Sequence, residues 1–157
     1  MQFTNYFLVS LVCFFGIFAG FFLVKIAPEE QKPLKKYLVV FQYIILALVL
    51  ALNIFFLRKI VPIIAIAILV SLFFLMAKRQ HDYRKVSINS AILGAVFFVA
   101  SLDTKVLAMT SALIFLFFLA ESAICRNVKE GNFMKIIAGN FLFVVASNFA
   151  YLTISRF

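Results

Sequence analysis

The chain has 157 residues, 66% of them hydrophobic and only 13% charged, with 22 phenylalanines and a formal net charge of +9. Soluble domains are about half apolar and about a quarter charged, and one this small buries too little surface to hide the surplus. The composition excludes an ordinary water-soluble domain and points to lipid as the solvent. It also argues against a nucleic-acid partner, because the basic residues stand in short breaks between apolar runs rather than on one face of a soluble module.

A bilayer-spanning helix needs about 20 apolar residues, with a range of about 17 to 25. Six runs qualify, over 3–26, 37–57, 60–77, 86–102, 106–125 and 136–155. They are continuously apolar rather than alternating, so they read as helices and not as strands of a barrel. The expected fold is all-α: one polytopic membrane bundle of six spans.

The first run opens with MQFTNYFLVSLVCFF, with no Lys or Arg before it, and is too long for a secretory signal. It is expected to stay as a membrane helix that closes at Ala27-Pro28. Gly16 and Gly20 are four apart in it, a spacing that lets two helix backbones approach closely. Packing within the bundle is the plainer use of that pair, and a dimer contact the other. The second run carries Gln42 and Asn53 on one face, eleven residues apart. Pro62 falls in the first turn of the third, where its missing N–H costs little. The fourth is the shortest, with Ser87, Ser90, Gly94 and Ser101 as small residues. In the fifth, Thr110, Ser111 and Glu121 share a broad face. The sixth bears a stripe of Asn140, Ser147, Asn148, Tyr151 and Ser155 at helical spacings.

Basic residues divide unequally between the two sets of connections. Eleven flank the first, third and fifth: Lys25, Lys32, Lys35, Lys36, Lys78, Arg79, Arg84, Lys85, Arg126, Lys129 and Lys135. Four fall on the other side: Arg58, Lys59, Lys105 and Arg156. Basic loops stay in the cytoplasm. The pattern therefore predicts three helical hairpins with both termini on the non-cytoplasmic side. It also predicts attraction of the cytoplasmic face to anionic headgroups, with the plasma membrane as the expected location. A weak echo, LFFL at 72–75 before FFVAS at 97–101 and LFFL at 116–119 before FVVAS at 143–147, reads as chance more readily than as duplication.

Motifs for catalysis are sparse. The chain has no Asp-rich diphosphate motif, no HExxH and no serine nucleophile elbow. Cys13 and Cys125 supply neither a disulfide framework nor metal-ligand spacing. His81 beside Asp82 gives two potential ligands where a metal site takes three or four. With Glu29, Glu30 and Arg126 they form a cytoplasmic polar cluster whose default is a solvated loop. No cofactor or metal is expected, and an enzyme less than a non-catalytic protein.

The polar faces of the second, fifth and sixth spans have two uses: hydrogen-bonded ties between helices, or a path for a solute. The leading expectation is a transporter- or channel-type protein for a neutral or lipid-like solute, working as a homo-oligomer. A non-catalytic accessory subunit of a larger membrane complex is the alternative, and a lipid-modifying enzyme the third. Glu121 stands inside LFFLAESAICRN, about one turn from the cytoplasmic boundary. Antiparallel hairpin packing pairs it with Asn140, near Arg126 or Lys135. The orientation is checked by cysteine labelling from outside: position 104 is expected to react and position 80 to be protected, and the reverse result inverts the topology.

Overall fold

A computed structural model describes residues 2–26, 31–56, 83–125 and 133–154. Among these residues there are five helices and no strand. They are α1 (Phe3–Ile26), α2 (Gln31–Phe56), α3 (Tyr83–Ala100), α4 (Thr104–Cys125) and α5 (Phe133–Ile154). Four contain stretches long and apolar enough to cross a membrane: Phe3–Ile26, Lys36–Asn53, Thr104–Ile124 and Ile136–Thr153. In α3 the apolar part, Asn89–Ala100, is shorter. The 18 residues of α3 still reach about 27 Å at 1.5 Å per residue, close to the hydrocarbon thickness. The predicted span 60–77 lies outside the described residues.

Helix ends differ from expectation where local chemistry extends them. The stretch 27–36 reads in sequence as a proline-bounded loop, yet α2 already begins at Gln31. Pro33 is then in the first turn, where proline removes no intrahelical bond. Between α3 and α4 the turn is three residues, Ser101 to Asp103. Asp103 Oδ1 accepts from the backbone N–H groups of Lys105, at 2.8 Å, and Val106, at 3.4 Å, so its carboxylate caps the start of α4.

The expected hairpin order does not describe the packing. The principal packed pairs are α3 with α5, α1 with α4, and α2 with α4; α1 also lies along α5, and α3 closes toward α4 and α2. The cyclic order is therefore α2, α4, α1, α5, α3. Helices α4 and α5, consecutive in sequence, are not a packed pair; they meet through the rings of Phe118 and Phe143. The physical reason is close approach. Lipid is as apolar as leucine, so membrane helices choose partners by surface fit rather than by burial from water. Gly16 sits against the Phe115 carbonyl, and Gly20 against Leu119 and Ser122 of α4. Gly94 sits against α5, where a Cβ would come within 2.8 Å of the Phe143 carbonyl oxygen.

The contacts also set direction. Cys13, Gly16 and Gly20 meet Ser111, Phe115 and Leu119 in rising order, so α1 and α4 run parallel. Ser90 meets Asn140, and Gly94 meets Phe143 and Ser147, so α3 and α5 also run parallel. Tyr6, Ser10 and Phe14 meet Tyr151, Asn148 and Phe141, so α1 is antiparallel to α5. Asn53 near the end of α2 meets Thr110 near the start of α4. One end of the bundle, here the upper, thus holds Phe3, Phe56, Ala100, Thr104 and Ile154. The lower holds Ile26, Gln31, Tyr83, Cys125 and Phe133. The end of α2 and the start of α3 are at opposite ends. The α3–α5 register is near 50 residues, from Ser90 on Asn140, whereas the echo between FFVAS and FVVAS is offset by 46. The echoed residues are therefore not side by side, although the Phe97 and Phe143 rings touch at 5.4 Å.

Enlarging Gly20 drives a side chain into the α4 backbone, which cannot retreat. Gly20→Ile is expected to destabilise the folded protein by about 1–3 kcal/mol, the usual cost of overpacking. Leu23→Ile, at an exposed site on the same helix, is expected to change little. Denaturant unfolding in mixed micelles compares them, and equal stability of the two variants refutes the clasp.

Candidate functional site

Polar side chains inside a bundle of this composition are costly unless they find partners. Those fully or nearly buried are Ser10, Asn53, Ser90, Thr110, Glu121, Ser122, Asn140, Ser147 and Asn148. They fall into two groups at different heights.

The upper group spans α1, α2, α4 and α5. Tyr6, fully buried on α1, donates its hydroxyl to the Ser147 carbonyl at 3.2 Å and stacks on Tyr151 with centroids 4.5 Å apart. Asn148 Nδ2 donates to Ser10 Oγ at 3.1 Å and to the Val144 carbonyl at 2.7 Å. Cys13 Sγ donates to the Ser111 carbonyl at 3.4 Å. Asn53 Nδ2 donates to Thr110 Oγ1 at 3.5 Å and, more strongly, to the Val49 carbonyl at 2.8 Å. The amide oxygens of Asn53 and Asn148 are buried without a hydrogen-bond partner.

The lower group lies on α3, α4 and α5, and one bond within it joins α3 to α5. Ser90 Oγ donates to Asn140 Oδ1 across the α3–α5 contact. Asn140 Nδ2, Glu121 Oε2 and Asn89 Oδ1 are all buried and unpartnered. The expected hydrogen bond between Glu121 and Asn140 is not formed: Asn140 turns to Ser90, because α5 packs on α3 and not on α4. Ser122, beside Glu121, spends its hydroxyl on the Leu119 carbonyl of its own helix at 3.0 Å.

A band of rings runs from the upper group down to the level between the two groups. Tyr6 touches Phe97 at 5.1 Å, Phe97 touches Phe143 at 5.4 Å, and Phe143 touches Phe118 at 5.1 Å. All four residues are fully buried. Aromatic contacts of this kind add about 0.5–1.5 kcal/mol each beyond their area. The band crosses the bundle from α1 through α3 and α5 to α4, with Leu93, Val96 and Ile114 filling beside it. Phe118 stands between Thr110 and Glu121 along α4, and Phe143 between Ser147 and Asn140 along α5, so this ring contact lies between the two polar groups.

The other predicted positions fall as follows. Gln42 is half-buried on α2 and makes no hydrogen bond to a described residue. Ser111 is half-buried and bonds the Ala108 carbonyl of its own helix at 2.8 Å. Glu29, Glu30, His81, Asp82, Arg126 and Ser155 lie outside the described residues, as do the side chains of Lys135 and Cys125. Among the described residues no three His, Cys, Asp or Glu side chains gather as metal ligands. Sequence reasoning did not single out Tyr6, Ser10 or Asn89. Tyr6, Ser10 and Cys13 recur at four and three residues within a phenylalanine-rich run, and that spacing was the available signal.

No protein-family model, no curated protein and no solved structure matches this chain. Function rests on the site itself.

The Ser90–Asn140 bond has a distinctive mutational signature. Ser90→Ala strands a second atom of Asn140 and is expected to cost about 1–3 kcal/mol, the penalty for an unsatisfied buried group. Removing both partners, Ser90→Ala with Asn140→Leu, is expected to recover part of that loss. Unfolding measurements on the single and double variants decide it; a double variant less stable than Ser90→Ala alone refutes the pairing.

Proposed function

We propose that the chain is a small membrane transport protein for small polar solutes, described here with its pathway closed by the aromatic band. The observation that carries this reading is the set of buried, unpartnered polar atoms on both sides of that band: Asn53 Oδ1 and Asn148 Oδ1 above, and Glu121 Oε2, Asn140 Nδ2 and Asn89 Oδ1 below. Groups kept only as ties would be satisfied, since an orphan costs more than a bond gains. Atoms reserved for a passing solute are left open when the solute is absent. A role as an inert packing subunit gives no reason to keep five of them.

The proposed arrangement has six spans, with the upper end outside and both termini there. Two features support it. The end of α2 and the start of α3 lie at opposite ends of the bundle, and the connection between them contains the apolar run 60–77. Of the eleven basic residues, Lys25, Lys32, Lys35, Lys36, Arg84, Lys85 and Lys135 fall in described helices near their lower ends, in keeping with the loop-charge rule. A chain of this length builds only shallow vestibules alone, so the working unit is proposed to be a homo-oligomer.

Purified protein in lipid vesicles is the test, with urea, glycerol and ethanolammonium chloride as probes in stopped-flow light scattering. Wild-type vesicles are expected to pass at least one probe faster than protein-free vesicles. Asn148→Leu and Ser147→Leu are expected to lower that flux at least tenfold, and Phe118→Ala to raise it. Phe143→Leu is the gentler opening variant if Phe118→Ala does not fold. Flux unchanged in folded Asn148→Leu and Ser147→Leu protein overturns the pathway.

A further inference from the structure

We propose that the lower polar group, Glu121 with Asn89 and Asn140, is a binding site for a small primary ammonium ion. This rests on the transport reading for its physiological meaning, but the site is defined by its own atoms. Glu121 is only 7% exposed and makes no hydrogen bond or ion pair with a described residue. It lies eleven residues after Thr110, three helical turns, so it shares the face that Thr110 turns toward Asn53 of α2. That face looks into the bundle.

The three residues share one level. Phe118 and Phe143 touch, and α4 and α5 run in opposite directions. Glu121 is three residues below Phe118 and Asn140 three residues below Phe143, so each is one turn beneath the contact. Asn140 is bonded to Ser90, and Asn89 is its chain neighbour on α3. The level therefore offers a carboxylate oxygen and an amide oxygen as free acceptors, and one amide N–H as a free donor.

A complementary ligand carries one positive charge, several N–H donors and a nearby acceptor. A primary ammonium supplies the charge and three N–H groups, for Glu121 Oε2 and Asn89 Oδ1. An adjacent hydroxyl on the ligand takes the N–H of Asn140. Divalent metal ions fit poorly: calcium takes six to eight oxygens, and among the described residues the two of Glu121 and Asn89 Oδ1 are the free ones at this level. A quaternary ammonium fits poorly too, having no N–H to give. Charge balance points the same way, because a buried carboxylate without a counter-ion is strongly unfavourable and the ligand brings one. The band of rings above closes the site, so entry is from the lower end. Basic residues there oppose a cation at long range, and salt screens that repulsion. Affinity should therefore hold or improve as ionic strength rises.

Isothermal titration of the intact protein in micelles with ethanolammonium chloride reads the site directly. Choline chloride at matched ionic strength is the control with equal charge and no N–H. Saturable binding of ethanolammonium is expected in the wild type, at least tenfold weaker in Glu121→Gln and several-fold weaker in Asn140→Leu. Asn89→Leu provides a third variant if Glu121→Gln does not fold. Absence of saturable binding in the wild type overturns the proposal. So does equal binding of choline, or binding unchanged in Glu121→Gln. Equilibrium binding does not require flux, so ethanolammonium binding without transport removes the transport reading and leaves the site standing.

Discussion

Close approach of helix backbones at three glycines organises this bundle. A membrane helix gains nothing from leaving lipid for an equally apolar neighbour, so contact area decides which helices pair. Gly16 and Gly20 bring α1 onto the α4 backbone, and Gly94 brings α3 onto α5. Both clasps join helices that run parallel and are not neighbours in sequence. Everything else is arranged around these two pairs. Helix α2 lies outside against α4, tied near its upper end through Asn53 and Thr110. The turn capped by Asp103 links one pair to the other.

The seam between the pairs is built differently. Where α1 meets α5, and α4 meets α5, the contacts are rings and a few hydrogen bonds: Tyr6 on Tyr151, Phe118 on Phe143, and Asn148 on Ser10. Ring contacts tolerate sliding and rotation better than a glycine pressed on a carbonyl. Interhelical hydrogen bonds in membranes average only about 0.6 kcal/mol. The bundle is thus firm within each pair and weaker between them. The unpartnered atoms of Asn148 and Asn140 belong to α5, and that of Glu121 to α4, the two helices that flank the seam.

Much of this was legible in sequence, and the failures share one cause. Four of the spans were legible because a long apolar run has few other fates; α1 covers Phe3–Ile26, as its apolar run does. The polar stripe of the last span was legible because Asn140, Ser147 and Asn148 repeat at helical spacing, and all three are buried. Neighbour choice was not legible. A helix apolar on every side carries no stripe that names its inward face, and short connections made hairpins the natural guess. Pairing Glu121 with Asn140 followed from that guess and fell with it. Tyr6 and Ser10 escaped notice because they are few among phenylalanines, although their spacing matches a face. Gly16, Gly20 and Gly94 were visible as small residues, but nothing in the chain says which backbone each one meets.

The aromatic band explains why the bundle tolerates unsatisfied polar groups. Each orphan costs on the order of 1–3 kcal/mol if it stays dry, and five together are a large fraction of the stability of a small domain. Placed at mid-depth they would be hardest to hydrate. Instead Phe118 and Phe143 lie between the upper and lower groups, and Tyr6 and Phe97 carry the chain of rings on to the upper end. The rings add packing where α4 meets α5, and the unpartnered polar atoms stand above and below that contact. On the proposed transport reading, one arrangement would meet two demands that conflict at any single depth: a closed centre, and open polar atoms on both sides of it. In the proposed transport reading, parting the seam between the two glycine-clasped pairs would separate Phe118 from Phe143 and join the two sides without breaking either clasp.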